Sequence, residues 1–183
     1  MNTTTYIIIA VVLAFVVIGA ILWPTLARRK RSERLHEQFG SEYEHTVQTL
    51  GDERKAQAEL EERQKRVEGL DIHPLTANEH KRFLADWAAV QSKFVDEPGQ
   101  AIVDADRLIM EVMQMRAYPV SDFEQRAADV SVSYPALVSN YRAARVIALK
   151  NQEYQADTEE LRQAMIYYRS LFDELLVADS VVV

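Results

Sequence analysis

The sequence predicts an all-α protein with a single N-terminal transmembrane helix, a charged helical arm and a compact four- to five-helix bundle. Three observations support this prediction. Glycine and proline contribute only 10 of the 183 residues, whereas Ala, Glu, Leu, Arg and Gln, which favour helices, fill long stretches. Residues 1–27 contain no charged side chain. Beyond residue 71 the apolar residues recur at helical spacing, and no sustained alternating run predicts a strand.

The charges are distributed unevenly along the chain. All 28 acidic and 21 basic side chains follow Ala27. Four of the basic ones lie in residues 28–31, so 17 basic and 28 acidic side chains remain in residues 32–183, a formal charge of −11. This balance argues against nucleic acid as a partner, because phosphate binding needs clustered Lys and Arg. Because the chain has no cysteine, disulfides and thiol chemistry are excluded.

The beginning of the chain predicts a membrane anchor. Residues 1–5 are expected to form a short non-cytoplasmic N-terminus, and residues 6–27 a transmembrane helix of about 33 Å, enough for a hydrocarbon core of about 30 Å. Tyr6 and Trp23 would lie at the two membrane interfaces. A basic stop-transfer run follows at the cytoplasmic interface: Arg28, Arg29, Lys30 and Arg31. The positive-inside rule then predicts a single-pass inner (cytoplasmic) membrane protein, with the N-terminus outside and the bulk of the chain cytoplasmic.

Residues 32–70 are predicted to form the charged helical arm. Ser41 with Glu44 forms a capping-box pattern, and Asp52 is a candidate cap for a further helix. The apolar stripe is thin: Ala56, Leu60, Val67 and Leu70. Such a helix is expected to stand in solvent as a spacer, to pack on one side, or to pair as a short coiled coil, which would make the protein a homo-oligomer.

Residues 71–178 are predicted to form the bundle, followed by an apolar C-terminal tail, residues 179–183. Thr76 with Glu79 forms a second capping box. The apolar stripes predict core faces on four helices: Phe83, Trp87, Val90 and Phe94; Ala101, Ala105, Leu108, Val112 and Met115; Leu137, Tyr141, Ala144 and Ala148; Leu161, Met165, Tyr168, Phe172 and Leu175.

Further signals mark the ends of the later helices. A short helix is expected from Ser121 or Asp122 to about Val130, and Pro135 fits the first turn of the next one. Asp157 or Thr158 is expected to cap the last helix.

Chemical motifs are few. Glu42 and His45 form one Glu-x-x-His pattern, which places both side chains on one helix face. Di-iron bundles need two such motifs and two further glutamates, so a solvated helix face is the simpler interpretation. We therefore assign no catalytic, cofactor-binding or metal residues and expect no cofactor.

Five arginines of the later helices lie near aromatic and apolar positions: Arg126, Arg142, Arg145, Arg162 and Arg169. With Asp122 and Asp129 close in sequence, they favour either a pocket for an anionic ligand or ordinary ion pairs at the core boundary. The terminal Val181–Val183 is compatible with a recognition tag, but short apolar termini usually stay disordered or pack on the bundle, so its role stays open.

Much of the chain resembles a known group of proteins. The stretches "FGSEYEHTVQTLGDERKAQAELEERQKRV", "FVDEPGQAIVDADRLIMEVMQMRAYPVSDFEQRAADVSVSYPALVSNYRAA" and "TEELRQAMIYYRSLFDELL" look like uncharacterised bacterial proteins that are helical and often anchored by an N-terminal membrane helix. The resemblance covers nearly all of residues 32–176. It implies a bacterial origin and brings no activity or functional residue with it.

The leading functional hypothesis is a membrane-tethered cytoplasmic helical adaptor or assembly module without catalysis. Its expected partners are the lipid bilayer, through residues 6–27, and a protein of unknown identity. The alternative is a regulatory domain that binds a small anionic ligand. A more remote alternative is a metal-dependent enzyme that uses Glu42 and His45.

Overall fold

The computed structural model describes residue 13 and residues 29–177. This part of the chain is helical and contains no strand, which confirms the all-α prediction. Its helices are α1 (residues 29–39), α2 (Ser41–Leu50), α3 (Glu53–Glu68), α4 (Ala77–Lys93), α5 (Pro98–Met115), α6 (Phe123–Ser133), α7 (Pro135–Gln152) and α8 (Thr158–Val177).

The chain divides into two compact units, Met1–Gln38 and Phe39–Val183. In the first unit, the residues described from 29 onward are helical. The second unit contains α2 to α8 and thus most of the predicted arm as well as the predicted bundle.

The main core of the second unit lies between α4, α5, α7 and α8. α8 packs against α7 and α5, and α4 packs against α5. Trp87 of α4 stacks on Phe172 of α8 with ring centroids 4.6 Å apart, and Tyr141 of α7 meets Tyr168 of α8 edge-on at 6.2 Å. All four side chains are buried, as their positions in the apolar stripes predict.

α2 and α3 pack against each other and cover part of the later helices. α3 contacts α6, and α2 contacts α7. Ala56 and Leu60 of α3 are fully buried. Of the three arrangements expected for the arm, the structure shows α3 as a helix packed on one side.

Several helix starts follow the predicted caps. The Thr76 side chain and Glu79 form the complete capping box of α4. Asp52 accepts a 2.9 Å hydrogen bond from the Lys55 amide at the start of α3, and Asp122 accepts one from Gln125 at the start of α6. These bonds satisfy amide groups that a helix leaves without partners in its first turn.

The predicted cap at Ser41 is wrong. α2 begins at Ser41 itself, its N-cap is Gly40, and no side chain caps the helix. Gly40 has a φ of +50°, a backbone conformation that residues with a Cβ rarely adopt. The chain therefore turns at the glycine, one residue before the position that the sequence pattern indicates.

The predicted membrane location is corrected by the structure. No helix within the described residues is both long enough and apolar enough to cross a membrane. Even α8, with 20 residues, carries charged side chains along its length, among them Glu159, Arg162, Arg169 and Asp173. The structure thus gives no support to a single-pass inner-membrane protein.

The residues assigned to that anchor are only partly described. The predicted span, residues 6–27, lies outside the described residues except for Leu13, and so do Tyr6, Trp23 and Arg28. The other three residues of the basic run belong to α1: Arg29, Lys30 and Arg31. The C-terminal tail, residues 179–183, also lies outside the described part.

We predict that Phe172→Ala lowers the free energy of unfolding by about 4 kcal/mol, because it leaves a cavity beside Trp87 and removes a ring stack. Urea denaturation followed by far-UV circular dichroism measures this change. Leu84→Ala on α4 is the control, because Leu84 is 43% exposed and its truncation should cost less than about 0.5 kcal/mol. Equal losses in the two variants would contradict the assigned core.

Candidate functional site

The candidate site is a groove of about 660 Å³ between α2, the start of α6 and α7. It is lined by His45, Thr49, Phe123, Glu124, Arg142, Arg145, Val146 and Leu149. A smaller depression of about 290 Å³ lies between α4 and α5. Its lining charges are largely paired with each other, as in Lys93–Asp104 at 2.9 Å, so we regard the apolar groove as the better candidate.

The apolar surface of the groove comes from α7 and α6. Val146 and Leu149 lie one turn apart on α7 and are 55% and 44% exposed. Phe123 is the first residue of α6, a position set by the Asp122 cap. Its ring lies 4.9 Å from that of the fully buried Tyr141. The groove therefore combines exposed apolar side chains with an aromatic ring that packs on the core.

A buried carboxylate holds the α2 wall of the groove. Glu42 is 2% exposed, and its Oε1 lies 2.8 Å from Arg63 Nη1 and 2.8 Å from Arg142 Nη2. Arg63 also donates to Glu59, and Arg142 donates to Glu124 at the start of α6. This network joins α2, α3, α6 and α7.

The same network places the polar residues of the groove. His45 and Thr49 follow Glu42 at successive turns of α2, and Thr49 donates a 2.8 Å hydrogen bond to the His45 carbonyl. Because Glu42 ties α2 to α7, these two residues line the groove opposite Val146 and Leu149.

A second buried acid fixes α3 on α6. Asp129 is fully buried, and its Oδ1 lies 2.8 Å from Arg66 Nη2. Gln125 donates a 3.0 Å hydrogen bond to the same oxygen. The sequence suggested that Asp129 pairs with an arginine of the later helices, whereas its partner comes from α3.

Arg145 lies at the edge of the groove between a ring and an acid. Its Cζ is 5.5 Å from the centroid of Phe123, and its Nη1 is 3.3 Å from Asp106 Oδ2. The other oxygen of Asp106 accepts a 3.1 Å hydrogen bond from Tyr168. Burial raises the pKa of the Tyr168 hydroxyl well above its usual value, and the nearby Asp106 charge adds to the effect. Tyr168 therefore stays neutral at ordinary pH and donates to Asp106, which in turn orients Arg145.

The five arginines singled out in the sequence do not share one pocket. Arg142 and Arg145 both line the groove. Arg126 donates to the Ser121 carbonyl and the Tyr141 hydroxyl. Arg162 and Arg169 form surface pairs with Glu159 and Asp173. Sequence spacing does not reveal this division, because it depends on which faces of α6, α7 and α8 meet.

The two residues of the Glu-x-x-His pattern, Glu42 and His45, do not face a common point as metal ligands would. Glu42 binds two guanidinium groups, whereas the His45 side chain is exposed. Among the described residues, no group of three or more His, Cys, Asp or Glu side chains is placed to hold a metal ion.

The fold and the groove define an all-α protein with an exposed apolar groove whose walls are held by buried ion pairs. Comparisons with protein-family models, with curated proteins and with solved structures found no match for the chain. The resemblance to uncharacterised bacterial proteins accordingly stays a prediction.

We predict that Glu42→Ala lowers the free energy of unfolding by about 3 kcal/mol, because it leaves two largely buried guanidinium groups without their shared acceptor. Chemical denaturation with detection at 222 nm provides the measurement. Glu62→Ala on the exposed face of α3 is the matched control and should change stability by less than about 0.5 kcal/mol. A Glu42→Ala loss no larger than that of the control would show that the network does not hold α2.

Proposed function

We propose that this protein is a helical adaptor or assembly module that binds a partner protein in the groove between α2, α6 and α7. The observation that carries the proposal is the exposure of Val146 and Leu149 within a groove of about 660 Å³. Apolar side chains that gather in a concave surface rimmed by polar groups are typical of protein and ligand interfaces.

The shape of the site favours a helical segment as the bound element. Val146 and Leu149 form an i, i+3 pair on α7, and Phe123 adds a ring from α6. An amphipathic helix laid in such a groove presents apolar anchors at i, i+3, i+4 and i+7. Its polar face would then meet the rim residues Glu124 and Arg142 or solvent.

The buried ion pairs favour binding with little rearrangement. Glu42 links the α2 wall of the groove to the α7 wall through Arg142, and Arg63 ties the same carboxylate to α3. A groove that already has its bound shape loses less conformational entropy when the partner binds.

We predict that a photo-crosslinking amino acid at Leu149 captures a discrete protein partner in intact cells that express the full chain. The same residue at Leu84 is a matched control, because the two leucines are 44% and 43% exposed but Leu84 lies outside the groove. Capture should be lost in a chain that also carries Val146→Glu, because a carboxylate in the apolar groove must be desolvated on binding. Equal capture at both leucines, or capture that survives Val146→Glu, would contradict the proposal.

A second candidate is a regulatory domain that binds a small anionic ligand, and Arg145 favours it. This guanidinium borders the apolar groove and makes one 3.3 Å contact with Asp106. A guanidinium has five N–H donors, so Arg145 has capacity to bind a carboxylate whose apolar part would contact Val146 and Leu149.

We predict that, if this second function holds, octanoate raises the melting temperature of the full chain and octanol does not. A ligand at a hundredfold excess over its dissociation constant stabilises by about 2.7 kcal/mol, which corresponds to a shift of roughly 5–10 °C for a chain of this size. Arg145→Gln should remove the shift. Equal shifts with octanoate and octanol would exclude recognition of the carboxylate.

A further inference from the structure

The loop between α7 and α8 presents a tyrosine in an unusual conformation. Tyr154 has a φ of +57°, and 98% of its surface is exposed. Its amide donates to the Asn151 carbonyl at 3.0 Å, and the next amide, from Gln155, donates to the Lys150 carbonyl at 2.9 Å. These two bonds form the helix-ending motif whose central residue is left-handed and is usually glycine.

The left-handed conformation is unfavourable for a residue with a Cβ. Ala117, at the end of α5, has a φ of +64° and ends its helix with the same pattern of hydrogen bonds. Ala117 and Tyr154 therefore share a backbone conformation, but only Tyr154 carries an aromatic ring. Within the described part of the chain, the Tyr154 side chain forms no hydrogen bond and no ring contact, so the fold gains nothing from this ring.

A second exposed apolar side chain lies just before α5, whose first turn contacts the end of α7. Asn151 donates a 2.9 Å hydrogen bond from Nδ2 to the Gly99 carbonyl, and a Cβ on Gly99 would lie 2.7 Å from Asn151 Oδ1. The first turn of α5 and the end of α7 are thus in close contact. Val95, in the α4–α5 loop three residues before α5 begins, is 82% exposed.

The charges around these two loops are mainly negative. Asp96 and Glu153 are exposed and form no ion pair within the described residues. The neighbouring cations are already paired, Lys93 with Asp104 and Lys150 with Glu160. The two loops therefore carry exposed carboxylates, an exposed ring and an exposed valine on either side of the contact between Asn151 and Gly99.

We propose that this Tyr154 surface, formed by Val95, Asp96, Glu153 and Tyr154, binds a segment of a partner protein that carries Arg or Lys beside an apolar residue. A guanidinium or ammonium group stacks favourably on a tyrosine ring, and the two carboxylates attract the basic side chains of such a segment. Nucleic acids and anionic lipid surfaces are repelled by these charges. This surface shares no residue with the groove between α2, α6 and α7, so binding at one does not depend on binding at the other.

The test uses the full chain and a fluorescently labelled peptide, Leu-Arg-Arg-Lys-Arg-Leu, with binding followed by fluorescence anisotropy. The matched peptide has glutamine in place of each basic residue, and it should bind at least about tenfold more weakly. Tyr154→Gly should weaken binding of the basic peptide by about tenfold, since a cation–ring contact contributes roughly 1–2 kcal/mol. Tyr154→Phe keeps the ring and should bind like the parent chain.

The left-handed conformation of Tyr154 gives a second readout, the thermal stability of the chain. Tyr154→Gly should raise the melting temperature by about 2 °C, because glycine adopts the left-handed conformation without strain. Ala117→Gly is the matched control and should raise the melting temperature similarly while peptide binding is unchanged.

Three results would overturn the inference. The first is equal binding of the basic and glutamine peptides by the parent chain. The second is a Tyr154→Gly chain that binds the basic peptide as tightly as the parent does. The third is a Tyr154→Gly chain with a lower melting temperature than the parent, because the ring would then stabilise the fold itself.

Discussion

The buried carboxylate of Glu42 is the contact on which the arrangement of this protein depends. One of its oxygens accepts hydrogen bonds from Arg63 and Arg142, and so a single acid ties α2 to α3 and α7. A buried charge is tolerated only when its partners are in place, which gives this contact a specific geometry. The apolar stripe of α3 is thin, so burial of Ala56 and Leu60 alone offers little to orient the helix. The polar network supplies that orientation and sets the α2 wall of the groove.

The surface contains two features that the folded state does not require. Val146 and Leu149 are exposed in the groove, although α7 could carry polar residues there at no cost to the core. Tyr154 occupies a left-handed position where glycine would be more stable. Features that lower the stability of the fold are common at functional sites, because they serve binding and not folding.

Local features were predictable because they depend on neighbours in sequence. Asp52, Thr76 and Asp122 cap helices as their patterns indicate, and the stripe that contains Trp87 is buried. The cap at Ser41 was wrong because the conformation of Gly40 overrides the capping pattern. The single-pass location came from the hydropathy of residues 6–27, and no described helix supports it.

The amino-acid order alone was enough to establish the helical class, most helix starts and the core faces of the bundle, because helix propensity, caps and 3.6-residue periodicity are local properties. The tertiary structure was needed to learn which charged side chains are buried. Arg63 and Arg66 lie in the stretch predicted as a charged arm, where spacing within the helix points to no distant partner, yet they pair with Glu42 and with Asp129, 63 positions after Arg66. The groove is likewise a product of packing, since it joins residues of α2 to residues of α7 about a hundred positions later. No periodicity within a single helix carries that information, because it depends on how the helices meet.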